Sequence, residues 1–270
     1  MTHVDRDRVV TALEEDWAAL LDLLEGLAPE DWGRPTDCPG WSVQDHVSHV
    51  VGLEAMLEGR PLPDVELGET AHIRNDLGRL NELWVESYRS RPPAEVLADL
   101  RAVIADRRST LAGMDEAAFE APAATPVGED TYGRFMRIRV MDTWFHEQDI
   151  REAVGVPGHL EGVAPAFVLD EVRLGLGFVV GKKAGAPEGS TVRFELTGPL
   201  SCRLDYVVTD RARPTERIDR EPTVTLTVPG DRLLRFVGGR ATAEDAGNAV
   251  RITGDATLGG AIVTSLPYMI

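Results

Sequence analysis

Cysteine is scarce in this chain. Only Cys38 and Cys202 occur in 270 residues, far apart in sequence, so no disulfide framework holds the fold together and a reducing compartment suits it. Lysine is nearly missing as well, confined to Lys182 and Lys183, and arginine supplies the remaining basic charge. With the abundant alanine and glycine, that bias points to a GC-rich bacterial genome. Positive charge falls well short of negative, leaving a formal net charge of −17. Nucleic acid or an anionic membrane as the main partner is therefore disfavoured, because both select basic patches. No apolar run approaches the ~20 residues that span a bilayer. The opening "MTHVDRDRVV" lacks the basic-then-apolar pattern of a secretory signal. The expectation is a cytoplasmic protein, monomer or homodimer, with neither a membrane nor a nucleic-acid partner.

What is present is ample apolar material, 43% of residues, over a length that exceeds the usual single domain. The first half reads as helix. Val9, Val10, Leu13, Trp17, Leu20, Leu21, Leu24 and Leu27 recur at helical spacing and predict a first helix of about five turns. A Pro/Gly-rich connection, "PEDWGRPTDCPGW", follows. Ser42 can cap a second helix, and Asp45, three residues on, completes a capping-box pattern. That helix runs to about Glu58, where "GRPLPD" stops it. Helical patterns resume over 69–90 and 94–113, and a fifth covers 133–153 before Gly155 and Pro157. Helices with such short links predict a bundle over residues 1–157.

After Pro157 the texture changes. Residues 164–182 suit one connecting helix. "STVRFELTG", "LSCRLDYVVTD" and "PTVTLTVPG" alternate and are rich in β-branched residues, as strands are. "GDRLLRFVGG" and "GDATLGGAIVTSL" read as short helices around a further strand, "AVRITG". The fold class expected is α+β in two domains, with a mainly antiparallel sheet over residues 158–270. "GLGFVVGKK" superficially suggests a phosphate loop, but Gly175, Gly177 and Gly181 fit neither the dinucleotide nor the Walker spacing.

The chemistry concentrates in "RIRVMDTWFHEQDIREAVG". Arg139, Asp142, His146 and Asp149 follow spacings of three, four and three, so they form one stripe on the fifth helix. Val140, Trp144 and Ile150 occupy other sectors, which suggests that this helix is largely buried. Unpaired charges there would be costly, so another side chain or a metal must compensate them. Asp142 and His146, at i and i+4, can share one cation, and "QDHVSHVVG" on the second helix offers His46 and His49 as further ligands. Two imidazoles and one carboxylate with a coordination position left open describe a catalytic zinc site. Asp149 or Asp45 can then orient a ligand imidazole. The plainer alternatives are core hydrogen bonding, an Arg139–Asp142 ion pair, and a solvated His46. Trp41 reads as a packing anchor and Cys38 as a small structural residue.

Read together, "CPGWSVQDHVSHVVGLE" and "RVMDTWFHEQDIREAVG" resemble the two metal-binding helices of the DinB-like fold, most of all its mycothiol-dependent maleylpyruvate isomerase family. That family starts its second helix with Trp-Ser/Thr and places a ligand histidine eight residues after the tryptophan; Trp41 sets the count and His49 fills the place. On the later helix an acidic residue and, four positions on, a histidine match Asp142 and His146. "TVTLTVPGDRLLRFVGGRAT" and "VRITGDATLGGAIV" look like the sterol-carrier-type domain that follows the bundle in this family.

The resemblance implies a DinB-like four-helix bundle followed by a sterol-carrier-like α/β domain. It also implies a divalent metal, zinc by preference, on His49, Asp142 and His146, and mycothiol, the actinobacterial thiol, as cosubstrate. The open position would present the thiol as a metal-bound thiolate to a small-molecule electrophile. Thiol transfer and isomerisation both fit. The general thiol transferase is favoured over maleylpyruvate isomerase itself, because the acidic ligand in those isomerases is glutamate and Asp142 is one methylene shorter. Arg240 in "FVGGRAT" is the candidate catalytic anchor for a substrate carboxylate, reaching across a domain interface, with a surface-loop arginine as the alternative. Two other functions compete: a metal-dependent hydrolase using bound water, and a non-enzymatic binder of lipid or another small molecule.

Overall fold

Local side-chain chemistry sets most of the helix starts. Asp5 accepts a hydrogen bond from the Arg8 N–H and opens α1, Arg6–Glu25. The computed structural model that defines this architecture describes residues 1–68 and 71–269. The chain divides into two compact units, Met1–His159 and Leu160–Ile270.

The first unit is helical. A 3-10 turn, Pro29–Gly33, links α1 to α2, Val43–Leu57. The expected capping box opens α2: the Ser42 side chain accepts from the Asp45 N–H, and the Asp45 carboxylate accepts from the Ser42 N–H. α3 (Asp76–Tyr88) is shorter than the pattern over 69–90, because Asn75 caps it by accepting from the Gly78 N–H. Positions 69 and 70 of that expected helix lie outside the described residues. α4 spans Pro93–Gly113 and α5 Glu116–Glu120. A hairpin of β1 (Pro122–Thr125) and β2 (Gly128–Thr131) then leads into α6, Tyr132–Val154. Gly155 ends α6 in the left-handed region at φ 72°, where a glycine carries no Cβ penalty.

α2 packs against α3, α4 and α6, while α6 also meets α1. As the middle member of the bundle, α2 is buried continuously from Val43 to Gly52. Gly52 makes its contact with α3 possible: a Cβ there would lie 2.3 Å from Trp84 Cγ. The helix that carries the candidate ligands therefore has almost no solvent-facing side.

The second unit begins with α7, Val163–Phe178, prolonged by a π-helical turn over Val179–Lys183. Five strands follow: β3 (Thr191–Thr197), β4 (Arg203–Val208), β5 (Ala212–Thr215), β6 (Val224–Pro229) and β7 (Arg251–Gly254). Their order is β5-β4-β3-β6-β7. Among the described residues only β3 and β6 pair in parallel, so the sheet is mainly antiparallel, as expected. α8 (Gly230–Val237), α9 (Ala243–Ala249) and α10 (Ala256–Ser265) complete the unit. Val192, Phe194, Tyr206, Val224 and Leu226 form the buried side of the sheet. Among the described residues no helix is long and apolar enough to cross a membrane.

Candidate metal centre

α2 and α6 bring the three expected ligands together. Asp142 Oδ2 lies 3.1 Å from His49 Nε2, and Asp142 Oδ1 lies 3.6 Å from His146 Nε2. The two imidazole rings meet edge to face with centroids 4.5 Å apart. Both rings are buried, whereas the Asp142 side chain keeps 29% of its surface exposed. The group is thus reached from solvent along the carboxylate.

The hydrogen bonds behind His146 assign its ring orientation. Thr36 Oγ1 donates to the Trp41 carbonyl at 3.1 Å, which leaves its lone pairs to accept from His46 Nε2 at 2.8 Å. His46 Nδ1 and His146 Nδ1 lie 2.8 Å apart and share one hydrogen bond. His146 Nε2 faces Asp142 and His49, the side on which a metal-ligating imidazole would give up its proton. Asp149 Oδ2 stands 3.5 Å from His146 Nδ1 and adds negative charge behind the same nitrogen. Cys38 Sγ, 3.5 Å from Asp149 Oδ2, closes the far side.

The electrostatics separate the two ligand histidines. Burial pushes His49 down to about 4, against the pull of the Asp142 charge, so this ring is neutral at physiological pH. Burial also works against a charged His146, but the Asp142 carboxylate and hydrogen bonds with Asp142 and Asp149 outweigh it and raise its pKa. For Asp142, burial favours the acid, yet the charges of His49, Arg139 and His146 prevail and hold the carboxyl well below its usual range. One ionised carboxylate and one neutral imidazole are therefore ready, and a cation has only to displace a proton from the other imidazole. His49 Nδ1 is buried without a hydrogen-bond partner among the described residues. The donor set fits a divalent ion of the zinc type.

Arg139 is buried and paired, in line with the ion-pair reading, but its reach is longer. It donates to Glu54 Oε1 from Nη2 at 2.8 Å and to Asp142 from Nη1. Glu54 in turn accepts from Arg107 Nε at 3.0 Å. No local pattern announces Glu54 as the hub, because both of its arginines come from distant helices. Its only signal is an acid placed within the apolar stretch "VVGLEAML".

Three further expectations need correction. His46 is not a solvated neighbour: it is fully buried against His146, since every side of α2 is covered at that level. Asp45 does not orient a ligand imidazole, because its carboxylate is taken by the capping box and by Arg89 Nε at 3.3 Å. Trp41 does more than anchor packing. Its ring lies 5.2 Å from both His46 and His49 and 5.6 Å from His146, and its Nε1 donates to Glu82. Arg240 stands in the second unit just past α8, where its guanidinium donates to the Gly238 carbonyl.

The first unit is helical and gathers two imidazoles and a carboxylate, and the second is α+β. Residues 13–151 match the mycothiol maleylpyruvate isomerase N-terminal domain, and the chain belongs to that family. Two uncharacterised proteins from strains of Mycobacterium tuberculosis are 26% identical over 139 residues, covering 50% of this chain and 52% of each relative. The chain thus spans about half the length of these relatives. The crystal structure of the mycothiol-dependent maleylpyruvate isomerase, and that of a variant with one histidine replaced by alanine, superpose with a TM-score of 0.59 at 15% identity, covering 94% of this chain and 96% of theirs. That likeness establishes a shared fold and extends it over both units.

Proposed function

We propose that this protein is a metal-dependent enzyme that uses a low-molecular-weight thiol, of the mycothiol kind, to transfer to or isomerise a small electrophile. The observation that carries the reading is the convergence of His49 Nε2, His146 Nε2 and the Asp142 carboxylate in one group, backed by the hydrogen-bonded chain from Thr36 through His46 to His146. Membership of the mycothiol maleylpyruvate isomerase family supports the choice of thiol. A divalent ion on His49, Asp142 and His146, zinc in the first instance, supplies a Lewis acid that keeps a bound thiol ionised, whereas a free thiol with pKa about 8.5 is mostly protonated at neutral pH.

The chain's own residues prepare that chemistry. Arg139 keeps Asp142 ionised and fixes its side chain. His46 and Asp149 hold the orientation of His146, and Trp41 walls off the three imidazoles. His46 and Asp149, the two residues available as a base for hydrolysis, both face the far nitrogen of His146, which favours thiol chemistry over water chemistry. Addition of the thiol sulfur to an electrophilic carbon, followed by bond rotation and release, gives isomerisation; retention of the new carbon–sulfur bond gives transfer. The shorter Asp142 in place of glutamate favours the general transferase over maleylpyruvate isomerase itself.

Cobalt-substituted protein provides the test. Adding mycothiol is expected to produce a sulfur-to-metal charge-transfer band, and His146→Ala protein is expected to show none. A spectrum unchanged by the thiol overturns the thiol reading.

A further inference from the structure

A second cluster of ligating side chains lies on the side of α6 that faces α1. Asp16, Glu147 and His159 each direct one ligand atom into a common space, and these atoms all lie within 4.8 Å of one another. Glu147 directly follows His146 in sequence, yet it points to α1 rather than to α2. All three side chains are buried: Asp16 and Glu147 are wholly covered and His159 keeps 7% of its surface.

The polar pairing inside this cluster is incomplete. Both carboxylate oxygens of Asp16 are buried without a hydrogen-bond partner among the described residues. Such a group costs a full desolvation penalty unless something neutralises it. Glu147 divides its oxygens: Oε1 accepts from Arg151 Nε at 2.7 Å, and Oε2 lies 2.5 Å from His159 Nδ1. The other nitrogen of His159, Nε2, lies 3.2 Å from Glu15 Oε1. A carboxylate on the outer nitrogen of an imidazole is the arrangement that orients a metal-ligating histidine.

Charge and backbone point the same way. Asp16, Glu147 and Glu15 bring three acids together, beside Arg151, a chargeable His159 and the Arg139 charge that also acts on Asp16. Burial, followed by the Glu147 and Glu15 charges, raises the Asp16 carboxyl well above its usual range. His159 also takes φ 52°, a left-handed conformation uncommon outside glycine, and Trp144 Nε1 holds its carbonyl at 2.9 Å.

We propose that Asp16, Glu147 and His159 form a second, buried site for a first-row divalent cation, separate from the centre at Asp142. Two carboxylates and one imidazole suit zinc or manganese. Ligand atoms around such an ion stand about 3 Å apart, within reach of small side-chain rotations. The ion gives the buried Asp16 carboxylate the partner it lacks. Its role is to tie α1 to the C-terminal end of α6 beside the catalytic helix face.

Metal analysis after reconstitution of the full chain with zinc tests this without depending on the function proposed above. Wild type is expected to hold about two ions, and Asp142→Ala and Asp16→Asn about one each. If the Asp142 centre binds no metal, wild type and Asp142→Ala both hold about one, and Asp16→Asn none. Asp142→Ala protein that retains no zinc overturns the second site. Should Asp16→Asn fold poorly, cadmium NMR of Asp142→Ala protein replaces it. One cadmium signal, from a site with one nitrogen donor, supports the proposal. No signal, together with an infrared carbonyl band from a protonated buried carboxyl, overturns it in favour of a trapped proton.

Discussion

Glu54 Oε1 receives two hydrogen bonds from the Arg139 guanidinium, Nε at 3.2 Å and Nη2 at 2.8 Å, and so braces the side chain that neutralises Asp142. Arg107 occupies the other oxygen of the same carboxylate. Replacing Glu54 by glutamine leaves two buried guanidiniums short of countercharge. Removing one member of such a buried group costs about 3–5 kcal/mol. Urea unfolding of Glu54→Gln protein measures it, and a loss below about 1 kcal/mol, the value of an exposed pair, contradicts the network described.

His46 and His49 separate the supporting histidine from the ligating one. His49→Ala and His146→Ala are expected to lose the ion of the Asp142 centre. His46→Ala removes the hydrogen-bond partner behind His146 Nδ1 and not an expected ligand, so affinity is expected to drop about 10–100-fold while binding persists. Competition with a chromogenic chelator reads this order directly. Equal loss in all three variants would place His46 among the ligands.

The metal-free protein carries a pH signature from His49. Its folded pKa, lowered by burial to about 4 from 6.5, means that the unfolded imidazole takes up a proton first as pH falls. Its contribution to stability is complete above pH 6.5 and drains away between there and about 4. His146, shifted upward, acts in the opposite sense: its share is present at low pH and is lost as pH rises through its folded value. His49→Gln protein is expected to lose the acid-side slope in urea unfolding. A variant with the wild-type slope would assign that slope elsewhere.

Gly52 fixes how closely α3 can lie on α2. An alanine methyl would meet the Trp84 side chain at 2.3 Å, well inside van der Waals contact. Overpacking of this kind costs about 1–3 kcal/mol. Because His49 sits one turn before Gly52, Gly52→Ala is also expected to weaken metal retention. Calorimetry and metal analysis on the same sample check both effects, and an unchanged melting temperature would show that α3 adjusts freely.

In the second unit Asp205 accepts from Arg193 Nε and Nη2 at 2.8 and 2.9 Å and from the Ile218 N–H at 3.1 Å. Burial opposes ionisation, but these bonds win and lower the carboxyl pKa below 3.8. Its stabilisation is therefore present above that value and lost as pH falls through the folded pKa. Asp205→Asn is expected to cost about 2–3 kcal/mol near neutral pH, with the gap closing in acid. A gap that stays constant into acid would rule out the charge as its source.

Much of this was legible because it is local. Ser42 and Asp45 lie within one helical turn of each other, and the stripe from Arg139 to Asp149 needs only helical periodicity. The segments of β3, β4 and β6 showed by alternation, whereas the four-residue β5 went unread. The β1–β2 hairpin did not, because each strand has four residues and little apolar alternation to betray it. α9 stayed hidden in a polar, glycine-containing stretch, "AEDAGNA". His46 was misplaced for a different reason. Helical spacing orders residues around α2, but on a helix covered on all sides it cannot identify the dry face. Partners such as Arg107 for Glu54 or Glu82 for Trp41 depend on tertiary contacts that no short pattern encodes.

The parallel pairing of β3 with β6 also orders events in time. Five residues, 198–202, separate β3 from β4, so that hairpin closes a short loop. Thr191 and Thr223, which bond across the start of the parallel pair, are 32 positions apart. Closing the longer span is slower unless the intervening chain has already condensed. β3 therefore serves first as a hairpin strand and later as the template on which β6 docks, and β7 can join only after β6. Until then β3 exposes an open edge, which makes the arrival of β6 the step at which the nascent second unit is most vulnerable to pairing with another chain.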